Sequence, residues 1–117
     1  MNLQEIKGED YSVQYIEESV TVKIEGELSL TGSADYAPIT ALLNEIAERN
    51  PPMITLDLKK LEFLNSSGIS MLSKFAIAMR KKKTIQLAVI GSDDIPWQRK
   101  SLQNFLKLCP NLQLTLE

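Results

Sequence analysis

Two adjacent hydroxyls, Ser66 and Ser67, lie between Asn65 and Gly68 at the join of an apolar strand and a helix. They sit where free backbone N–H groups and the positive end of a helix dipole converge. Two kinds of chemistry suit that position. Asn65 or Ser66 can cap the helix by accepting a hydrogen bond from its first turn. Alternatively, the same N–H groups and dipole favour a phosphoryl group. Phosphorylated Ser66 would carry roughly −1.5 to −2 extra charges at neutral pH, altering any surface docked there. Gly68 either admits a close backbone approach or leaves the tip unshielded. The local sequence leaves cap and switch both open.

Composition narrows the chemistry. The 117 residues contain no histidine and a single cysteine, Cys109. Histidine is the usual base near neutral pH and the commonest metal ligand, so Ser-His-Asp, Cys-His and most zinc chemistry are excluded. No glycine-rich phosphate loop or dinucleotide fingerprint occurs, and no acidic pair stands out. The chain is therefore expected to be non-enzymatic and to need no metal or cofactor. A net charge of −2 argues against nucleic acid or an anionic membrane as main partner. The run Arg80-Lys81-Lys82-Lys83 falls at a helix end, where cations complement the dipole. Cys109 beside Leu108 reads as an apolar filler. With neither signal peptide nor membrane-length apolar run, the expected location is the cytoplasm.

The elements that must position the serines follow from periodicity. The length suits one domain over residues 1–117, with Met1–Asp10 a flexible N-terminus. Tyr11, Val13 and Tyr15 alternate as an edge strand, and Val20, Val22 and Ile24 as its hairpin partner across Glu17-Glu18-Ser19. A helix is predicted from about Tyr36 to Arg49, with Asp35 as N-cap, Pro38 in the first turn and Asn50-Pro51-Pro52 as stop. The dense apolar run Met53 to Leu58 suggests a central strand buried on both faces. The next helix spans about Ser67 to Lys82, with Ile69, Leu72, Ala76 and Met79 inward. Met71, Phe75 and Ala78 widen its apolar surface, so that flank either packs under a neighbour or docks a partner. Thr84–Ile90 is a strand, and Pro96 opens a helix placing Leu102, Phe105, Leu106 and Cys109 inward, with Trp97 as packing anchor. Leu112, Leu114 and Leu116 alternate in a last strand. The order β-β-α-β-α-β-α-β implies an α/β domain: a mixed sheet of about five strands packed by about three helices.

Two landmarks in this order, Gly26-Glu27-Leu28-Ser29 and Leu56-Asp57-Leu58-Lys59-Lys60-Leu61-Glu62-Phe63-Leu64-Asn65-Ser66-Ser67-Gly68, resemble the STAS domain family of anti-sigma-factor antagonists. The resemblance runs from about Tyr11 to Glu117. It implies a STAS-like domain that binds a serine kinase which is also an anti-sigma factor. Phosphorylation of Ser66, with Ser67 as the alternative acceptor, would break that complex, and a phosphatase would reset it. Asn65, Gly68 and Ser29 would surround the phosphosite, and Ser66, Ser67, Met71, Lys74 and Ala78 would meet the partner. The family pattern often has Asp where this chain has Asn65 and Ser29. A constitutive binding or scaffold subunit of a signalling or lipid-transport complex is the alternative, and a nucleotide at the helix tip a third.

Overall fold

A computed structural model describes residues 4–117. Among these, the chain forms seven strands and three α-helices: β1 (Gln4–Lys7), β2 (Tyr11–Ile16), β3 (Thr21–Leu28), α1 (Gly32–Glu48), β4 (Met53–Asp57), β5 (Leu61–Leu64), α2 (Ser66–Lys82), β6 (Gln86–Gly91), α3 (Pro96–Leu108) and β7 (Gln113–Leu116). The mixed sheet runs β1-β2-β3-β4-β6-β7, with β5 also paired to β3. β1, β2 and β3 are antiparallel neighbours, joined β2 to β3 by a 3-10 turn over Glu17–Ser19. The pairs β3–β4, β3–β5, β4–β6 and β6–β7 are parallel.

The strand count exceeds the expected five by β1 and β5. β1 occupies part of the stretch read as a flexible N-terminus, of which residues 1–3 lie outside the described residues. β5 arises because the long apolar run is broken. Asp57 Oδ1 accepts from Lys59 N at 3.1 Å, and Leu61 N donates to Leu58 O at 3.0 Å, turning the chain after β4. β3 therefore pairs with β4 through Thr21–Lys23 and with β5 through Gly26–Leu28.

Burial is confined to one sheet face. Val13 and Tyr15 lie in register with Ile24 and Val22, Val22 with Leu56, and Leu56 with Val89, all at most 5% exposed. The opposite face carries Thr21, Lys23, Glu25, Thr55 and Asp57, half-buried, with ion pairs Lys23–Glu25, Lys59–Asp57 and Lys59–Glu117. The two-sided burial expected for Met53–Leu58 is thus corrected. Met53-Ile54-Thr55-Leu56-Asp57 alternates, and a methionine on the uncovered face inflates its apolar count.

The helices cover the apolar face with α2 packed against both α1 and α3. Tyr36, Ile39, Leu42, Leu43 and Ile46 form the inward stripe of α1, where each fully buried aliphatic contributes about 1.5–3 kcal/mol. This helix starts earlier than predicted. Thr31 is its N-cap position, and Asp35 sits inside the first turn, accepting from Thr31 N at 3.3 Å. The central place of α2 widens its buried stripe to Met71, Leu72, Phe75, Ala76 and Met79, while Ile69 is only half-buried. Its basic end, Arg80 to Lys82, closes on Lys83 in the left-handed region. Cys109 and Trp97 pack as expected, one buried and the other half-buried against the core.

Among the described residues, one polar side chain crosses this core. Gln98 is fully buried on α3. Its Nε2 donates to Leu58 O at 2.7 Å and Leu61 O at 2.9 Å, and its Oε1 accepts from Ser92 N at 2.7 Å. These bonds clip α3 to the turn between β4 and β5. A break in a central strand exposes carbonyls that the sheet ladder no longer satisfies, and a buried amide can supply both donors.

Candidate functional site

At the ends of β3 and β5 the chain turns into α2, and Asn65 makes that turn. Its N donates to Leu28 O at 3.1 Å, setting it beside the Leu28–Leu30 segment that carries Ser29. Its Oδ1 accepts from Gly68 N at 2.9 Å, so Asn65 is the N-cap of α2. The same oxygen accepts from Tyr36 Oη at 2.7 Å, while Asn65 Nδ2 donates to Leu30 O at 2.7 Å. Tyr36 Oη in turn accepts from Leu30 N at 3.4 Å. These bonds join the β3–α1 connection, α1 and the start of α2 in one network.

Each amide atom of Asn65 faces the partner it requires, donors at Oδ1 and an acceptor at Nδ2. An ionised aspartate would hold the two donors but turn a carboxylate oxygen toward Leu30 O. The asparagine thus fits its surroundings. Gly68 is equally constrained. A Cβ there would fall 2.3 Å from Leu64 Cδ1 and 2.7 Å from Tyr36 Oη, so any side chain would have to displace Leu64 and the Tyr36 hydroxyl. Burial raises the pKa of Tyr36, opposed by the Leu30 backbone hydrogen bond and reinforced by Tyr11. The hydroxyl therefore stays protonated and able to donate well above neutral pH.

Ser66 opens α2, is exposed, and its hydroxyl makes no hydrogen bond among the described residues. Ser67 is half-buried. The first turn of α2 contains no acidic residue, so nothing there repels an added anion. Ser29 is exposed on the adjoining segment. Sequence reasoning brought Asn65, Ser66, Ser67, Gly68 and Ser29 together, and the structure places them so. It missed Tyr36. The signal was present: a tyrosine on an apolar stripe must find a partner for its hydroxyl.

Beyond the tip, a groove of about 530 Å³ runs between α1 and α2. Ser67, Lys74 and Ala78 line it from α2, facing Ser33, Ala37 and Thr40 of α1. Lys74 and Ala78 are exposed, whereas Met71 is 8% exposed and forms part of the groove wall. The flank Met71–Phe75 packs toward α1, which answers half of the question its apolar width raised. Ala78 stays at the surface. Among the described residues no helix is long and apolar enough to cross a membrane.

No family model matches the sequence. No curated protein matches it either. Solved structures do. SiaC of Pseudomonas aeruginosa superposes with a TM-score of 0.76 at 13% identity, covering 100% of this chain and 98% of SiaC. The apo form of SiaC gives 0.74 at 14% identity, covering 98% and 99%. An anti-sigma factor antagonist from Mycobacterium paratuberculosis gives 0.58 at 21% identity, covering 96% of this chain and 84% of that one. The arrangement of sheet and helices is therefore the STAS-like fold that these proteins have in common.

Proposed function

We propose that this chain is a non-enzymatic regulatory protein of the anti-sigma-factor-antagonist type, acting in the cytoplasm. It docks a protein partner, a serine kinase that doubles as an anti-sigma factor, through the face around the start of α2. Phosphorylation of Ser66 releases the partner, and a phosphatase restores binding. Ser67 is the alternative acceptor, and Lys74 and Ala78 extend the face along the groove that Met71 helps to wall.

The observation that carries this reading is a division of labour at the helix start. Asn65 already performs the cap, leaving the Ser66 hydroxyl exposed and without a structural task. Modifying it would alter the surface without removing a bond that the fold uses. The added dianion would meet the positive end of α2 and its unpaired first-turn N–H groups. The fold shared with a protein described as an anti-sigma factor antagonist supports the same reading.

Intact-mass spectrometry with fragment mapping, on protein from its native cell under several growth conditions, tests it. One phosphate on Ser66, absent from the Ser66→Ala variant, is the expected result. Unmodified serines at full coverage of Phe63 to Lys74 would refute the switch. The constitutive module would then be the better account, because the α1–α2 groove offers a docking surface whatever the state of Ser66.

A further inference from the structure

Phe63 is 46% exposed, the larger value of the two large apolar side chains left open among the described residues. Its exposure is built into the backbone. β3 and β5 pair Gly26 with Leu61, Glu27 with Phe63 and Leu28 with Leu64, so Glu62 is an extra residue and the register shifts. In a regular strand, Phe63 would share the face of Leu61 and turn inward. The bulge instead leaves Leu61 and Leu64 buried, at 0% and 4%, and turns Glu62 and Phe63 outward. Bulges of this kind re-aim side chains and recur beside functional sites.

The surroundings of Phe63 carry a charge sign. Glu27, its register partner, and Glu62 are exposed. Asp10 joins them through Glu27 N donating to Asp10 O at 2.8 Å, and Glu9 precedes it, both exposed. Lys60 is the basic residue nearby, its carbonyl accepting from Gly26 N. None of the four carboxylates holds an ion pair among the described residues. An aromatic ring within an uncompensated acidic rim is complementary to an apolar socket bordered by cations. Phe63 also lies two residues before Asn65, about 7 Å along the strand from the tip.

We propose that Phe63 is the anchor of the partner interface, inserting into an apolar socket that lysine or arginine borders on the protein partner. This assignment rests on the reading that a partner docks around the start of α2. It adds a residue that the serine pair and α2 do not contain, and it states the partner's chemistry.

Site-specific photocrosslinking in the native cell tests it. Benzoylphenylalanine is placed at position 63 of the full chain and, separately, at position 70 on the α2 face, and the crosslinked peptides are sequenced. The expected result is a crosslink from 63 to a partner segment with apolar residues and lysine or arginine beside them, lost when Glu27→Lys and Glu62→Lys are combined. With that partner purified, Phe63→Ser should weaken binding about 30-fold or more, as truncation of an anchor does. A crosslink from 70 without one from 63 overturns the anchor and leaves the docking face standing. An acidic crosslinked segment also overturns it. Crosslinks from neither position refute the docking face, and the anchor with it. Thermal melting of Phe63→Ser is the second measurement. A midpoint within about 2 °C of wild type is expected for an exposed side chain, and a fall beyond about 8 °C would place Phe63 in the core and overturn the proposal.

Discussion

Replacing Gln98 by glutamate keeps the shape of the side chain and exchanges its NH2 for a carboxylate oxygen. At this fully buried site that oxygen would face Leu58 O and Leu61 O, the two carbonyls that Nε2 now serves. Ionised glutamate would repel both, so the variant should fold with the group protonated. A protonated carboxyl donates one bond where the amide donates two, a loss of about 1 kcal/mol, softened at Leu61 O because Trp97 Nε1 also reaches it at 3.3 Å. Proton uptake adds the larger share. From an unfolded value of about 4.3, holding the proton at pH 7 costs 1.36 kcal/mol per unit, or about 3.7 kcal/mol. The total at pH 7 is about 4–5 kcal/mol, a large part of a typical stability of about 5–15 kcal/mol. The sign follows from the raised folded pKa. The unfolded chain gives up its proton first, so the proton-uptake share fades below about pH 4, leaving the bond loss of about 1 kcal/mol, and grows as pH rises toward the folded value. Urea denaturation of wild type and Gln98→Glu at pH 4 and pH 7 measures the difference at each pH. A destabilisation below about 1 kcal/mol at pH 7, or one equal at the two pH values, would refute the buried-clip account.

Two further predictions concern the network behind the serines. Tyr36→Phe removes the hydroxyl shared by Asn65 and Leu30, and should cost about 1–1.5 kcal/mol, or about 4–6 °C in the melting midpoint by calorimetry. Because burial raises the folded pKa of Tyr36 above the ordinary tyrosine value of 10.0, its contribution is present below that pH and is lost as pH rises through the folded value. The alkaline fall in wild-type stability should accordingly be smaller in Tyr36→Phe, and equal slopes would count against it. Gly68→Ala should destabilise by about 2–3 kcal/mol in urea titration, since its methyl meets Leu64 and Tyr36 well inside contact distance. A neutral result would mean that the Tyr36–Asn65 contact is not needed by the fold.

The serine tip was legible from the sequence because it depends on local chemistry. Asn-Ser-Ser-Gly after an apolar run announces a strand ending and a helix beginning, and alternation in β2, β3 and β6 marked the inward positions. What escaped depends on contacts distant in sequence. Tyr36 reaches Asn65 across 29 positions, and Gln98 reaches Leu58 across 40. Nothing in the neighbourhood of either residue names the other. The division of one apolar run into β4 and β5 was hidden for a related reason. Whether Leu58–Lys60 breaks a strand depends on Asp57 folding back on Lys59 and on a distant glutamine satisfying the carbonyls that the break exposes. Phe63 illustrates the limit of periodicity, since a single extra residue in the pairing reverses the direction of a side chain that alternation would bury.

All three helices hold the turn that leads into Ser66: α1 through Tyr36, α2 through its own cap, and α3 through the Gln98 bonds at the root of β5. A turn fixed from three directions has little conformational freedom left to lose. A protein that recognises it therefore meets a preorganised surface, and the entropy of ordering, about 0.5–1.5 kcal/mol for each immobilised side chain, falls on the other side of the interface. Recognition of this tip is then a matter of fit between a rigid epitope and whatever must close around it.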